Sequence, residues 1–285
     1  MSKRQKLFGF IIVLIFLIIS AEQLMAQKNG HNDEGIVQAQ ISLTVSESKR
    51  LIAKAIAQMP IIKKAMKDGM VIIARGTTNT YVSEEILDKS IERGAFVTGK
   101  VYPKKGGKRL NPSIKLSEII LINGKADEQI SYSEAVKKLK AGDVMIKGAN
   151  ALDNKNKTVG VYIGSSSGGT TGKFLPYVVA KKAYLVIPIG LEKLITGDLI
   201  ELSNKMRDPV ESLNKVPSMF LLTGEIVTEI EALKILTGVS AFQSGAGGIG
   251  GAEGGVRLVL RGSRDQVENA LNIVEGIYGE PPFVE

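Results

Sequence analysis

The sequence predicts an α/β fold: a mostly parallel, Rossmann-like sheet with helices on both faces, followed by a small C-terminal α+β domain of ferredoxin-like type. Three observations predict it. Short, uninterrupted apolar runs such as Val71-Ile72-Ile73 and Leu185-Val186-Ile187 recur along the chain, and strands buried on both faces read this way. These runs alternate with helical patterns, the order that builds a parallel sheet. After about residue 204 the order becomes strand–helix–strand–strand–helix.

Lys3, Arg4 and Lys6 precede an apolar run from Leu7 to Ile19, and Ser20, Ala21 and Leu24-Met25-Ala26 follow. A charged start, a short apolar stretch and a small-residue exit are the anatomy of a secretory signal. Residues 1–26 are therefore expected to be a signal peptide or N-terminal anchor, with membrane contact through residues 7–21. Either arrangement exports the remainder, to the periplasm, the exterior or the outer side of a membrane. Residues 27–45 are polar at first and read as a tether.

The α/β domain is expected over residues 46–204. Leu51, Ile52, Ala55 and Ile56, then Ile61, Ile62 and Met66, follow helical spacing, and Pro60 splits them into two helices. Residues 70–75 read as a buried strand, followed by Gly76-Thr77-Thr78-Asn79-Thr80 and a helix through Leu87. Strands are expected over 95–101 and 118–122, with a basic turn at 104–109 between them. A helix at 133–139 leads to a strand at 143–146, and another strand is expected at 159–163. The Gly/Ser/Thr loop 164–172 then opens a helix over 173–181, and a strand follows at 183–189. Residues 205–285 carry strands at 220–222, 239–243 and 256–260, with helices at 228–236 and 265–278. Glu229 and Glu231 fall in the first turn of the former helix, where its dipole favours negative charge.

Composition excludes several chemistries. The 285-residue chain has no cysteine, no tryptophan and a single histidine, His31. Disulfides, thiol nucleophiles and zinc–thiolate sites are thus absent, and no metal site is expected. A Ser-His-Asp triad would need His31, which lies in the polar stretch behind the targeting segment. Catalysis would fall to Asp, Glu, Lys, Ser, Thr, Tyr or backbone amides, with no cofactor indicated. The net charge is +8, but the basic residues are scattered and no nucleic-acid module is present, so no nucleic-acid partner is expected.

Two loops offer binding chemistry. Gly168-Gly169-Thr170-Thr171-Gly172-Lys173 lies between a strand and a helix, where free amides and the helix dipole attract anions. Gly76-Thr77-Thr78-Asn79 makes the same offer, with Arg75 adding charge. Ligands of parallel sheets sit beyond the carboxyl ends of strands, so the two loops are expected to converge on a small anionic ligand. Gly245-Ala-Gly-Gly-Ile-Gly250 has G-x-G-x-x-G spacing, but a strand rather than a helix follows it, which removes the dinucleotide reading. Glu253 sits among glycines and, with Asp153, is a candidate catalytic carboxylate. The strand edge of the C-terminal domain is a candidate for self-association into a homo-oligomer.

The layout resembles the ribose-5-phosphate isomerase / glucosamine-6-phosphate deaminase / CoA-transferase-like superfamily over about residues 48–190. The matching segments are Ile73-Ala-Arg-Gly-Thr-Thr-Asn79, Asp143-Val-Met-Ile-Lys-Gly-Ala-Asn150 and the glycine loop from Gly168 to Lys173. The resemblance implies a phosphate-type ligand and an isomerase- or transferase-type activity. Where the isomerases place aspartates this chain has Lys147 and Asn150, and Ala151 stands in place of their glutamate. The resemblance assigns Lys147 and Asn150 to ligand binding and leaves Asp153 as the nearest carboxylate.

Overall fold

The computed structural model describes residues 35–284, so the signal or anchor expected at 1–26 lies outside the described residues. From Val37 onward the chain forms one compact unit. Its elements in order are β1 (Ile36–Leu43), α1 (Val45–Gln58), α2 (Pro60–Asp68), β2 (Met70–Ile73), α3 (Thr77–Leu87), β3 (Ile119–Ile122), β4 (Lys125–Ala126), α4 (Tyr132–Lys138) and β5 (Val144–Ile146). There follow β6 (Ala151–Asp153), β7 (Thr158–Ile163), α5 (Gly169–Ala180), β8 (Tyr184–Pro188), a 3-10 turn (Leu191–Lys193) and α6 (Leu199–Lys205). The chain ends with β9 (Ser218–Leu222), β10 (Glu225–Val227), α7 (Glu229–Thr237), β11 (Ser240–Ala246), β12 (Val256–Ser263) and α8 (Arg264–Glu275). Among the described residues no helix is long and apolar enough to cross a membrane.

The central sheet has six strands in the order β10-β8-β5-β2-β3-β4. β10, β8, β5 and β2 run parallel, while at the other edge β3 pairs antiparallel with β2 and β4 antiparallel with β3. Every residue of β2 and β5 is buried, which explains the apolar runs and fits a sheet covered on both faces. Asp143 anchors the lower end of two strands: its carboxylate accepts from Met70 N and Lys140 N, each at 2.8 Å.

Four helices start with a Ser or Thr that trades hydrogen bonds with the residue three positions on: Thr44–Glu47, Ser131–Glu134, Thr228–Glu231 and Ser263–Gln266. Each pair satisfies two of the amide groups that a helix start leaves free.

Three expectations change. The stretch read as a tether contributes β1, whose Ile41 and Leu43 are buried in the main core; its alternating pattern had been masked by the polar residues before it. Residues 95–101 are not a strand. Gly94 and Gly99 take left-handed backbone angles there, and the segment runs irregularly to β3, held by the buried Phe96, whose carbonyl accepts from Gly76 N at 2.9 Å. The segment 205–285 does not pair only with itself: β9 joins β6 and β7 in a three-stranded antiparallel sheet, and β10 extends the central sheet. β11 and β12 form a third sheet with β1, and their core side chains Val256, Leu258 and Leu260 are continuous with those of the central sheet.

Helix α1 is fixed by an ionic latch. The guanidinium of Arg50 reaches Glu84 at 2.7 Å, Glu85 at 2.9 Å and Glu280 at 2.9 Å. Arg93 joins Glu84 and Glu280 at 2.9 and 3.2 Å and stacks on Tyr81 and Phe283. Arg50→Ala removes the cation that three partly buried carboxylates share and leaves Glu84 and Glu280 to Arg93 and Glu85 to Lys54. The expected loss, between that of a surface pair and that of a buried one, is about 2 kcal/mol of unfolding free energy. Urea denaturation reads it directly, and an unchanged midpoint would show that the latch adds nothing.

Candidate functional site

Four parallel strands leave the central sheet on the same side, and the segments following them are stitched together. Ala74 N donates to Ile146 O at 3.0 Å, Lys147 N to Val186 O at 3.0 Å, and Ile189 N to Val227 O at 3.1 Å. Asn79, wholly buried in the first turn of α3, donates its amide to Ala74 O at 2.6 Å and to Ile146 O at 3.3 Å. Its Oδ1 has no partner. It points towards Gly148, where an added Cβ would lie 3.9 Å from it and 3.6 Å from Pro188 O.

Ionisable groups gather at this edge. Lys147 donates to Gly148 O at 2.8 Å, and Lys193 donates to the next carbonyl, Ala149 O, at 2.9 Å. From α1, the buried Lys49 comes within 4.0 Å of Glu192. Glu192 folds back over Gly190, where any Cβ would collide with its carboxylate, and its Oε2 is buried without a partner. Glu229, fully buried at the start of α7, accepts from Leu191 N at 2.9 Å.

Burial sets the protonation of these groups, because a low-dielectric surrounding disfavours charge. Lys147 is pushed down to about 8 by burial and then by the Lys193 ammonium. Burial likewise lowers Lys49 to about 8, although the attraction of Glu192 opposes it. Glu229 is pushed up to about 7 by burial and then by Glu192. Bases and an acid brought this close to neutrality are the groups suited to proton transfer.

The sequence-predicted residues divide between places. Gly76, Thr77, Thr78 and Asn79 form the start of α3 at this edge, with Thr78 buried and no side-chain cap on the helix. Arg75 is paired with Glu118 at 3.2 Å, and Lys147 lies at the end of β5. Asn150 is spent on structure: its backbone N donates to Gly160 O at 2.8 Å and its Oδ1 accepts from Tyr162 N at 3.0 Å, opening the β6–β7 hairpin.

The second loop belongs to a different sheet. It follows β7, which pairs antiparallel with β6 and β9, so the two loops do not close strands of one parallel sheet. Gly168 takes a left-handed angle against the Phe220 ring, Thr170 O accepts from Tyr132 Oη at 3.0 Å, Thr171 is buried and Lys173 is exposed. Ser165, Ser167, Gly168, Lys215 and Phe220 line an open cavity of about 600 Å³ there.

Both candidate carboxylates are bound by backbone amides. Asp153 accepts from Asn156 N at 3.0 Å and Asn156 Nδ2 at 2.9 Å in the hairpin turn, and these bonds hold it below its ordinary value. Glu253 is exposed and accepts from Gly251 N at 2.8 Å, and backbone amides depress it too. A carboxylate stabilised as an anion is a poor base.

Sequence reasoning missed Lys49, Glu192 and Lys193, and read Glu229 as a partner of the helix dipole. One signal was present: Thr228-x-x-Glu231 assigns Glu231 to the cap, which leaves Glu229 without a local task. Among the described residues no group of acidic or histidine side chains could hold a metal ion. Comparison of the chain with protein-family models, curated proteins and solved structures finds no match.

The raised Glu229 gives a pH signature. Its folded value, about 7, lies above the unfolded glutamate value, so the stability it contributes is complete below about pH 4.3 and is lost as pH rises through 7. Glu229→Gln keeps an acceptor for Leu191 N and removes that loss. The variant is expected to match the parent near pH 4 and to exceed it by about 3 kcal/mol near pH 8, in urea denaturation at the two pH values. Equal stabilities at both would mean that Glu229 titrates normally.

Proposed function

We propose that the protein is an exported or membrane-tethered binding protein for a small anionic ligand, held at the carboxyl edge of the central sheet. The observation that carries the reading is the pair Lys147 and Lys193, presented on adjacent carbonyls at the ends of β5 and β8. Beside them is the uncapped start of α3 at Gly76–Thr78. Two ammonium groups with no carboxylate bonded to them among the described residues, next to a helix start, suit a phosphate or carboxylate.

The resemblance of segments 73–79 and 143–150 to sugar-phosphate isomerases makes sugar phosphates the first ligands to try. Isomerase chemistry through Asp153 or Glu253 draws no support from their turn-bound carboxylates. Export rests on the basic, apolar and small-residue order of residues 3–26.

Calorimetry with inorganic phosphate, ribose 5-phosphate and glucosamine 6-phosphate tests the reading. Lys193→Met is expected to weaken binding by about 10- to 100-fold, the worth of one charged hydrogen bond. Lys173→Met, at an exposed position, is expected to change it less than about threefold. The reverse ranking would move the site to the Gly168 loop and its cavity.

A further inference from the structure

We propose that Lys147 is a reactive amine that condenses with the carbonyl group of an anionic aldehyde or ketone, with Lys193 as the proton donor. The proposal rests on the anion site described above and names its ligand class: a carbonyl compound carrying a phosphate or carboxylate. Geometry carries it. The two amines are held on consecutive carbonyls, Gly148 O and Ala149 O, at 2.8 and 2.9 Å. Lys147 follows directly on the wholly buried Val144, Met145 and Ile146, and its backbone N is bonded to β8, whose Val186 and Ile187 are equally buried. Lys193 is the one charge that acts on Lys147, whereas Lys49 feels Glu192 and Glu229 as well as Lys193. An amine desolvated beside another cation and lacking a carboxylate partner is a nucleophile near neutral pH.

The step balances. The neutral Nζ of Lys147 attacks the carbonyl carbon, a C–N bond forms, and a proton moves from nitrogen to the carbonyl oxygen to give a carbinolamine. The Lys193 ammonium then protonates the hydroxyl, the C–O bond breaks and water leaves. The products are a protonated Schiff base on Lys147 and neutral Lys193. The ligand's anion stays at the start of α3, which orients the carbonyl.

Pyridoxal 5′-phosphate, an aldehyde bearing a phosphate, is a suitable probe for the full chain. It is added at pH 7, the adduct is reduced with borohydride, and peptide mass spectrometry locates it. The expected result is a dominant adduct on Lys147, formed at least about tenfold faster than on the exposed Lys173, with a half-maximal rate near pH 8. Lys193→Met is expected to shift that half-maximum upwards, because the repelling cation is gone. Labelling spread evenly over exposed lysines, or a half-maximum at the ordinary lysine value, overturns the proposal. The two readings fail separately. Calorimetric phosphate binding without an adduct on Lys147 sinks the amine and leaves the anion site. An adduct on Lys147 that excess inorganic phosphate does not slow removes the anion site and leaves the amine.

Discussion

Parallel pairing of β2, β5, β8 and β10 sends four successive chain segments out of the sheet on one side. The rest of the structure accommodates that constraint. Each segment must turn back over the sheet, and the backbone groups of four adjacent turns need partners away from water. They find them in one another, through the bonds from Ala74, Lys147 and Ile189, and in the amide of Asn79. Burial at this edge drives Lys49, Lys147 and Glu229 towards their neutral forms.

The distribution of polar groups follows a simple economy of hydrogen bonding. Carboxylates close to their own backbone are absorbed by turns and caps: Asp153 by Asn156, Glu253 by Gly251, Glu231 by Thr228. They are stabilised as anions and lose their basicity. Among carboxylates that pack against distant segments, Glu192 Oε2 is buried without a partner, and burial raises Glu229 despite its bond from Leu191 N. Sequence position alone ranks these residues in the opposite order, because a lone Glu among glycines looks exposed and reactive while a Glu in a helix's first turn looks routine.

The helical part of the fold was legible from local pattern. The α1–α2 break at Pro60 and the strand at 70–73 follow from spacing and apolar runs, with bounds close to those expected. β1 and the irregular crossing from 89 to 118 were not legible. In the first, polar neighbours hid an alternation that matters only against β12. In the second, apolar residues around Phe96 imitate a strand whose backbone is instead spent on Gly76. Of the candidate site, the Gly76–Asn79 turn and Lys147 were visible, since strand-to-helix turns announce themselves. Lys49 and Lys193 were not, because nothing in their own neighbourhoods marks them.

The amino-acid sequence by itself determined the α/β class, most helix boundaries, the absence of thiol chemistry, and the two Gly/Thr turns. These depend on interactions within a few residues or on composition alone. Tertiary structure decided which sheet each strand joined, and so which turns became neighbours. It put the Gly168 loop on an antiparallel sheet and drew Lys49, Glu192, Lys193 and Glu229 to the edge that holds Lys147. Strand partners are chosen by how apolar faces and backbone bonds are satisfied across the whole chain, and that choice has no local trace.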